Sequence, residues 1–304
     1  MSTASSTKAQ ATPIAAPINE AEKAAEPAIR EISHIATLPE ITIRIMDLID
    51  DPSATAADLN SVIESDPALG ARILKVVNSA FYGVPGQVAS INRAIVLLGL
   101  NAIKNIAIAA SLTKLFRGGK IAQEFDARDL WLHSTATAGA SRLIVNELSM
   151  GYLDEAFLAG LIHDLGLMVE IQARRPKFIQ VLEQVVGDPD VSLRETEQKI
   201  FGATHEDFGR VLARSWKFPQ TLINVVGGHH EPEQYSGEEA LLPTIVAVAD
   251  SLAAKAGYGF TRGEEVAEPK PEWLATLGLS DEALARIEEQ LPEAYEEAST
   301  LMKG

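Results

Sequence analysis

A chain of 304 residues with 46% hydrophobic side chains can bury the core of one large domain or two smaller ones. It has no cysteine, which excludes disulfides, thiolate metal sites, iron–sulfur clusters and cysteine nucleophiles, and fits a reducing cytoplasm. The net charge of −16 repels polyphosphate, and the densest basic run is only Arg174-Arg175 followed by Lys177, so direct nucleic-acid binding is not expected.

The opening MSTASSTKAQATPIAAP carries one lysine and no apolar h-region. No later stretch reads as the roughly 18 uncharged apolar residues of a spanning helix. A soluble, unexported, cytoplasmic protein with no membrane contact is expected. Residues 1–31 are rich in Ala, Ser, Thr and Pro, with Pro13, Pro17 and Pro27, and are expected to form a disordered tail. His34, at the edge of that tail, reads as solvated.

From Leu38 onward apolar residues recur at three- and four-residue intervals, the period of helices packed on a core. Thr55-Ala-Ala-Asp58 reads as a variant capping box, and Asp66-Pro67 as a cap before a first-turn proline. Ser90 and Asn101 are candidate caps for INRAIVLLGL and AIKNIAIAASLTKLF, and INRAIVLLGL reads as core. Gly83 is expected to stop the helix that ends in Asn78-Ser79-Ala80-Phe81-Tyr82, although that segment could also face a partner. Asp126 and Thr204 are candidate caps of later helices. No run alternates long enough to compete as a strand, so the fold class is all-α.

Gly118-Gly119 divides an N-terminal helical half, residues 32–117, from a second half, residues 120–258. Residues 259–279, including TRGEEVAEPKPE, read as a polar linker. Residues 280–304 read as an acidic helix whose Glu288, Glu289, Glu293, Glu296 and Glu297 form a solvated face or dock a basic partner.

Five of the six histidines, His133, His163, His205, His229 and His230, form an ordered set with Asp164 and Asp250. Imidazole and carboxylate bind first-row divalent metals, and such ions activate water against phosphate esters. On its helix His133 has Ala136, Thr137 and Ala140 at i+3, i+4 and i+7, a small-residue face that admits another helix closely. His163-Asp164 sits in apolar AFLAGLIHDLGLMVEI, with Ala159, Gly160 and Gly166 leaving space around it. Asp250 stands in apolar IVAVADSLAA, where an unpaired carboxylate is prohibitive, so a metal or a histidine donor must face it. A histidine taken singly is more often a satisfied core or capping residue. The set as a whole points to one shared polar cluster.

These residues, in this order, resemble the HD superfamily of metal-dependent phosphohydrolases, in particular the branch that includes the HD-GYP phosphodiesterases. IESDPALGARILKVVNSAFYG and SINRAIVLLGLNAIKNIAIAAS resemble the HDOD domain, an HD-related output domain of bacterial signalling proteins. The resemblance runs from about Leu38 to Tyr258. It implies an HD-type helical domain preceded by a helical subdomain. It also implies His133, His163, Asp164 and Asp250 as primary metal ligands and His205, His229 and His230 as additional ones. Two departures weigh against hydrolysis. HDLGL puts Leu167 where the enzymes read HDIGK with a phosphate-neutralising lysine, and PEQYSG follows His230-Glu231 in place of a segment ending in Gly-Tyr-Pro.

The expectation is a regulatory output or scaffold module that works through contacts with signalling proteins and through a bound ligand such as a nucleotide or cyclic dinucleotide. A divalent ion is an expected cofactor, with Fe, Mn, Zn, Ni and Mg undistinguished. The alternative is a metal-dependent phosphohydrolase with Asp164 as the catalytic candidate. A third reading is a hydrogen-bonded core that only fixes helix packing.

Overall fold

The computed structural model describes residues 19–31, 39–51, 53–79, 82–112, 120–122, 125–188, 190–260 and 268–302. Residues 1–18, His34 and Gly118-Gly119 lie outside the described residues. The first half comprises α1 (Glu20–Glu31), α2 (Glu40–Asp50), α3 (Ala56–Glu64), α4 (Pro67–Val77), α5 (Ile91–Leu98) and α6 (Leu100–Leu112). Its core gathers Leu59, Ile63, Leu69, Ile73, Val77, Ile103 and Leu112.

Local chemistry sets these boundaries. The Thr55 hydroxyl accepts from the Asp58 N–H while the Asp58 carboxylate accepts from the Thr55 N–H, and the Asp66 and Ser90 side chains cap α4 and α5. Asn101 is not a cap: Gly99, at φ 91°, turns the chain so sharply that α6 opens at Leu100. Gly83 does not stop α4 either. The helix ends at Val77, where the Asn78 amide donates to the Leu74 and Val88 carbonyls and accepts from the Val88 N–H. INRAIVLLGL is core on one face only, since Ile91, Ala94 and Ile95 are buried while Val96 is 74% exposed.

The disordered tail expected over residues 1–31 is corrected from Glu20 onward, where α1 is an ordered helix. Averaged composition concealed a face of Ala25, Ala28 and Ile29, which is buried against later helices. Glu22 on that face is also buried, its charge offset by Arg210 at 3.1 Å and Arg214 at 2.7 Å.

In the second half a short antiparallel ribbon of β1 (Lys120–Ala122) and β2 (Phe125–Asp126) leads into α7 (Ala127–Glu147). There follow α8 (Leu153–Ile162), α9 (Leu165–Ala173), α10 (Arg175–Gly187), α11 (Leu193–Phe201), α12 (His205–Ser215) and α13 (Gln220–Val226). A 3-10 turn at Pro232–Gln234, α14 (Glu238–Lys255), α15 (Pro271–Leu277) and α16 (Asp281–Met302) complete the order. The helix α1 packs on α12 and α9, and α7 lies between α8, α14 and α16. Its small-residue face is what admits them. A Cβ on Gly160 would meet Ala138 Cα and the Thr137 carbonyl at 2.8 Å.

Asp126 and Thr204 stand at the N-termini of α7 and α12, each in a reciprocal box with Asp129 and Asp207. The linker expected over residues 259–279 contains α15, which buries Trp273 on α14. The acidic helix is amphipathic: Glu289, Glu293 and Glu296 are exposed, Ala283, Ile287, Leu291, Ala294 and Ala298 are buried, and α16 packs on α7. Leu153–Ala173, although interrupted by Asp154, Glu155, Asp164 and Glu170 and so not an uncharged run, is long and apolar enough to cross a membrane by length and composition. It is a core segment here, with 89% of its apolar window buried.

Candidate metal centre

Separate elements carry the polar set to one point. His133 comes from α7, His163 and Asp164 from the α8–α9 junction, His205 from the first position of α12, His229 and His230 from the segment after α13, and Asp250 from α14. His163-Asp164 does not lie within a continuous helix, as its apolar surroundings suggested. The backbone departs from helical geometry at Asp164 (φ −93°, ψ 21°), and the Asp164 side chain makes no cap bond to α9. That leaves the carboxylate free to face the cluster.

Glycines bring the backbones together. A Cβ on Gly166 would fall 1.7 Å from the His205 carbonyl oxygen, so α12 can meet α9 only where there is no side chain. Gly259, at φ 79°, would place a Cβ 2.3 Å from the Asp129 carbonyl. Its conformation lets the chain pass beside α7, where the Tyr258 carbonyl lies 3.3 Å from His133 Nδ1.

His133 Nε2 is 2.7 Å from Asp250 Oδ1. His163 Nδ1 is 2.8 Å from the Gly160 carbonyl, which directs Nε2 inward, 3.3 Å from Asp164 Oδ2 and 3.7 Å from Asp250 Oδ1. The other Asp164 oxygen, Oδ1, faces His229 Nε2 at 3.5 Å and His205 Nε2 at 3.7 Å. His205 Nε2 is 3.1 Å from His230 Nε2, and His230 Nδ1 is 3.9 Å from Asp250 Oδ2. Asp164 thus stands between a group made with His133, His163 and Asp250 and a group made with His205, His229 and His230.

Burial pushes the Asp164 carboxyl up, but the surrounding imidazoles of His163, His229 and His205 outweigh it and hold the group well below the carboxylate range. Asp250 is lowered the same way, burial being overcome chiefly by the His133 hydrogen bond. Burial opposes protonation of His205, yet the carboxylates of Glu197, Asp164 and Glu206 raise it to about 9. His230 is pushed well down by burial and by its neighbours His229, His205 and Arg194. In the 3.1 Å contact between the two rings, His205 is therefore the donor and His230 the acceptor.

Three ligand groups have donor atoms within 4.8 Å of one another: His133, His163 and Asp164; His163, His229 and Asp250; and His205, His229 and His230. The buried Nε2 atoms of His163 and His229 have no hydrogen-bond partner, and an orphaned buried nitrogen is costly unless a cation or donor meets it. A set of imidazole nitrogens and carboxylates converging on one point, with the Nε2 atoms of His163 and His229 unpartnered, fits a first-row divalent ion.

All the candidate residues named from sequence meet here. Their neighbours were missed. Glu197 and Glu206, behind and beside His205, are buried acids that sequence signals only weakly, as polar positions on the buried faces of α11 and α12. The apolar side chains Phe125, Leu130, Leu167, Leu193 and Phe260 line the cavity together with His133, Asp164, His205, His230 and Asp250. The cavity has about 30 Å³ of room, and among the described residues lining it there is no lysine or arginine. Nearby Arg194 is engaged by Glu206 at 2.8 Å and Glu231 at 3.0 Å.

The fold recurs in an HDOD domain protein of Geobacter sulfurreducens, 24% identical, with a TM-score of 0.77 over 92% of this chain and 98% of that one. It recurs also in a candidate signal transduction protein of Marinobacter aquaeolei, 23% identical, with a TM-score of 0.73 over 93% of this chain and 66% of that one. A candidate phosphohydrolase of Shewanella amazonensis is 21% identical, with a TM-score of 0.69 over 92% and 97%. Among curated proteins, an uncharacterized protein of Treponema pallidum is 25% identical over 278 residues, 88% of this chain and 51% of that protein. This chain therefore spans about half the length of that relative. The HDOD domain profile matches residues 35–232, and the chain belongs to the HDOD family.

Proposed function

We propose that this chain is a signalling output module whose HD-type pocket holds a divalent ion as a structural or ligand-sensing element, and that its output passes through protein contacts. The description of the Marinobacter neighbour as a candidate signal transduction protein supports the context. His133, His163, Asp164 and Asp250 would hold the ion, with His205, His229 and His230 available to a second position. An ion so held supplies a fixed charge that ties together helices distant in sequence and can acidify a bound water.

The observation that carries the non-catalytic side of this reading is the cavity wall. Its room of about 30 Å³ suits an ion and little more than water, and five apolar side chains surround the donors. A phosphodiester brings negative charge, and Leu167 offers nothing to meet it. The hydrolytic alternative draws on one observation, the complete donor set with its orphaned imidazole nitrogens.

The test is a cyclic di-GMP hydrolysis assay on untagged protein loaded with Mn²⁺ or Fe²⁺. Turnover well below about 1 per second, the low end of ordinary enzyme rates, is expected. Faster turnover that vanishes in Asp164→Ala would establish the hydrolytic alternative instead.

A further inference from the structure

Neither Glu197 of α11 nor Glu170 of α9 lines the cavity, and both are completely buried beside it. Glu197 Oε2 accepts twice from one residue, from the His205 backbone N–H at 2.9 Å and from the His205 ring at Nδ1 at 2.8 Å. The oxygen that accepts from the backbone N–H accepts from the ring as well, so Nδ1 carries the proton. The nitrogen that faces Asp164 and His230 is then Nε2.

The remaining Glu197 oxygen and both Glu170 oxygens are buried without a hydrogen-bond partner. Two neighbouring buried carboxylates, both charged, would be prohibitive, so one carboxyl keeps its proton. Burial, reinforced by the Glu197 charge, pushes Glu170 well above the carboxylate range and makes it the neutral one. Glu197 is held to His205 through both the backbone N–H and the ring.

We propose that Glu197 is a positioning residue that fixes the Nδ1 proton of His205 and aims Nε2 into the metal centre. The inference rests on reading the pocket as a metal centre. Partners of this kind behind a ligand histidine raise its basicity and lock its ring, and their loss typically weakens metal binding about 10- to 100-fold.

The experiment is a Co²⁺ titration, followed by visible absorption, of the untagged full chain and its Glu197→Gln and Glu170→Gln variants. Imidazole ¹⁵N spectra of the wild-type protein, metal-free and Zn²⁺-loaded, accompany it. Glu197→Gln should weaken Co²⁺ binding by about 10-fold or more, while Glu170→Gln, which keeps that side chain neutral, should stay within about threefold. His205 Nδ1 should bear a proton in both wild-type samples. Unchanged Co²⁺ affinity in a folded Glu197→Gln protein, or a bare Nδ1 in the wild type, overturns the proposal. If Glu197→Gln does not fold, the Nδ1 result decides alone. A wild type that takes up no Co²⁺ refutes the metal-centre reading instead, and the Nδ1 result still judges the positioning role.

Discussion

His133 Nε2 and Asp250 Oδ1 stand 2.7 Å apart although 117 residues separate them in the chain, and each is buried in a helix of small or apolar side chains. This contact joins α7 to α14 at the floor of the pocket and gives Asp250 the donor its surroundings demanded. Asp250→Ala should destabilise the protein by roughly 3 kcal/mol, because it leaves His133 facing an uncompensated void. Urea unfolding should show a lower midpoint with an unchanged slope. A midpoint equal to wild type would contradict this account of the contact.

Removing residues 1–31 should lower the melting temperature by several degrees, since it uncovers Ala25, Ala28 and Ile29 and leaves Arg210 and Arg214 without Glu22. Glu22→Ala alone should cost about 1 to 2 kcal/mol. An unaltered thermal transition in the truncated protein would show that α1 adds nothing to stability.

Gly166→Ala should be among the most damaging single-methyl additions in the chain, because the new Cβ would fall 1.7 Å from the His205 carbonyl and only backbone movement relieves the overlap. A loss of about 3 kcal/mol or more is expected. Gly187→Ala, where nothing lies within 4 Å, is the control and should be neutral or slightly stabilising. Equal chemical-denaturation midpoints for the two variants would refute the close approach of α9 and α12.

In the metal-free protein His205 holds its proton up to about pH 9, above its ordinary value of 6.5. A proton bound more tightly in the folded state stabilises it, fully below about 6.5, and that contribution is lost as pH rises through about 9. Stability in EDTA should therefore decline between pH 7 and 9.5, and the decline should flatten in His205→Gln. A slope identical in both proteins would remove His205 as its source.

Much of both halves was legible because the signals are local or chemically extreme. Thr55, Asp66, Ser90, Asp126 and Thr204 mark helix starts, and a carboxylate within IVAVADSLAA must be compensated wherever the chain goes. What was not legible depended on tertiary cover. The Ala25, Ala28 and Ile29 face of α1 is too small to stand out from an Ala- and Pro-rich segment and becomes core only when α9 and α12 close on it. Glu197 and Glu170 look like ordinary surface acids until folding buries them beside His205. The break at His163-Asp164 was hidden because apolar residues continue through it and give no period shift to read.

The central claim is that the cluster around Asp164 is a metal centre, and its most direct test is the metal content of the chain purified without a metal-binding tag. Elemental analysis should find about one or two equivalents of a first-row divalent ion per chain, falling to background in the Asp164→Ala and His163→Ala variants. A wild-type chain that carries less than about a tenth of an equivalent, and gains none on dialysis against Mn²⁺, Fe²⁺ or Zn²⁺, would contradict it.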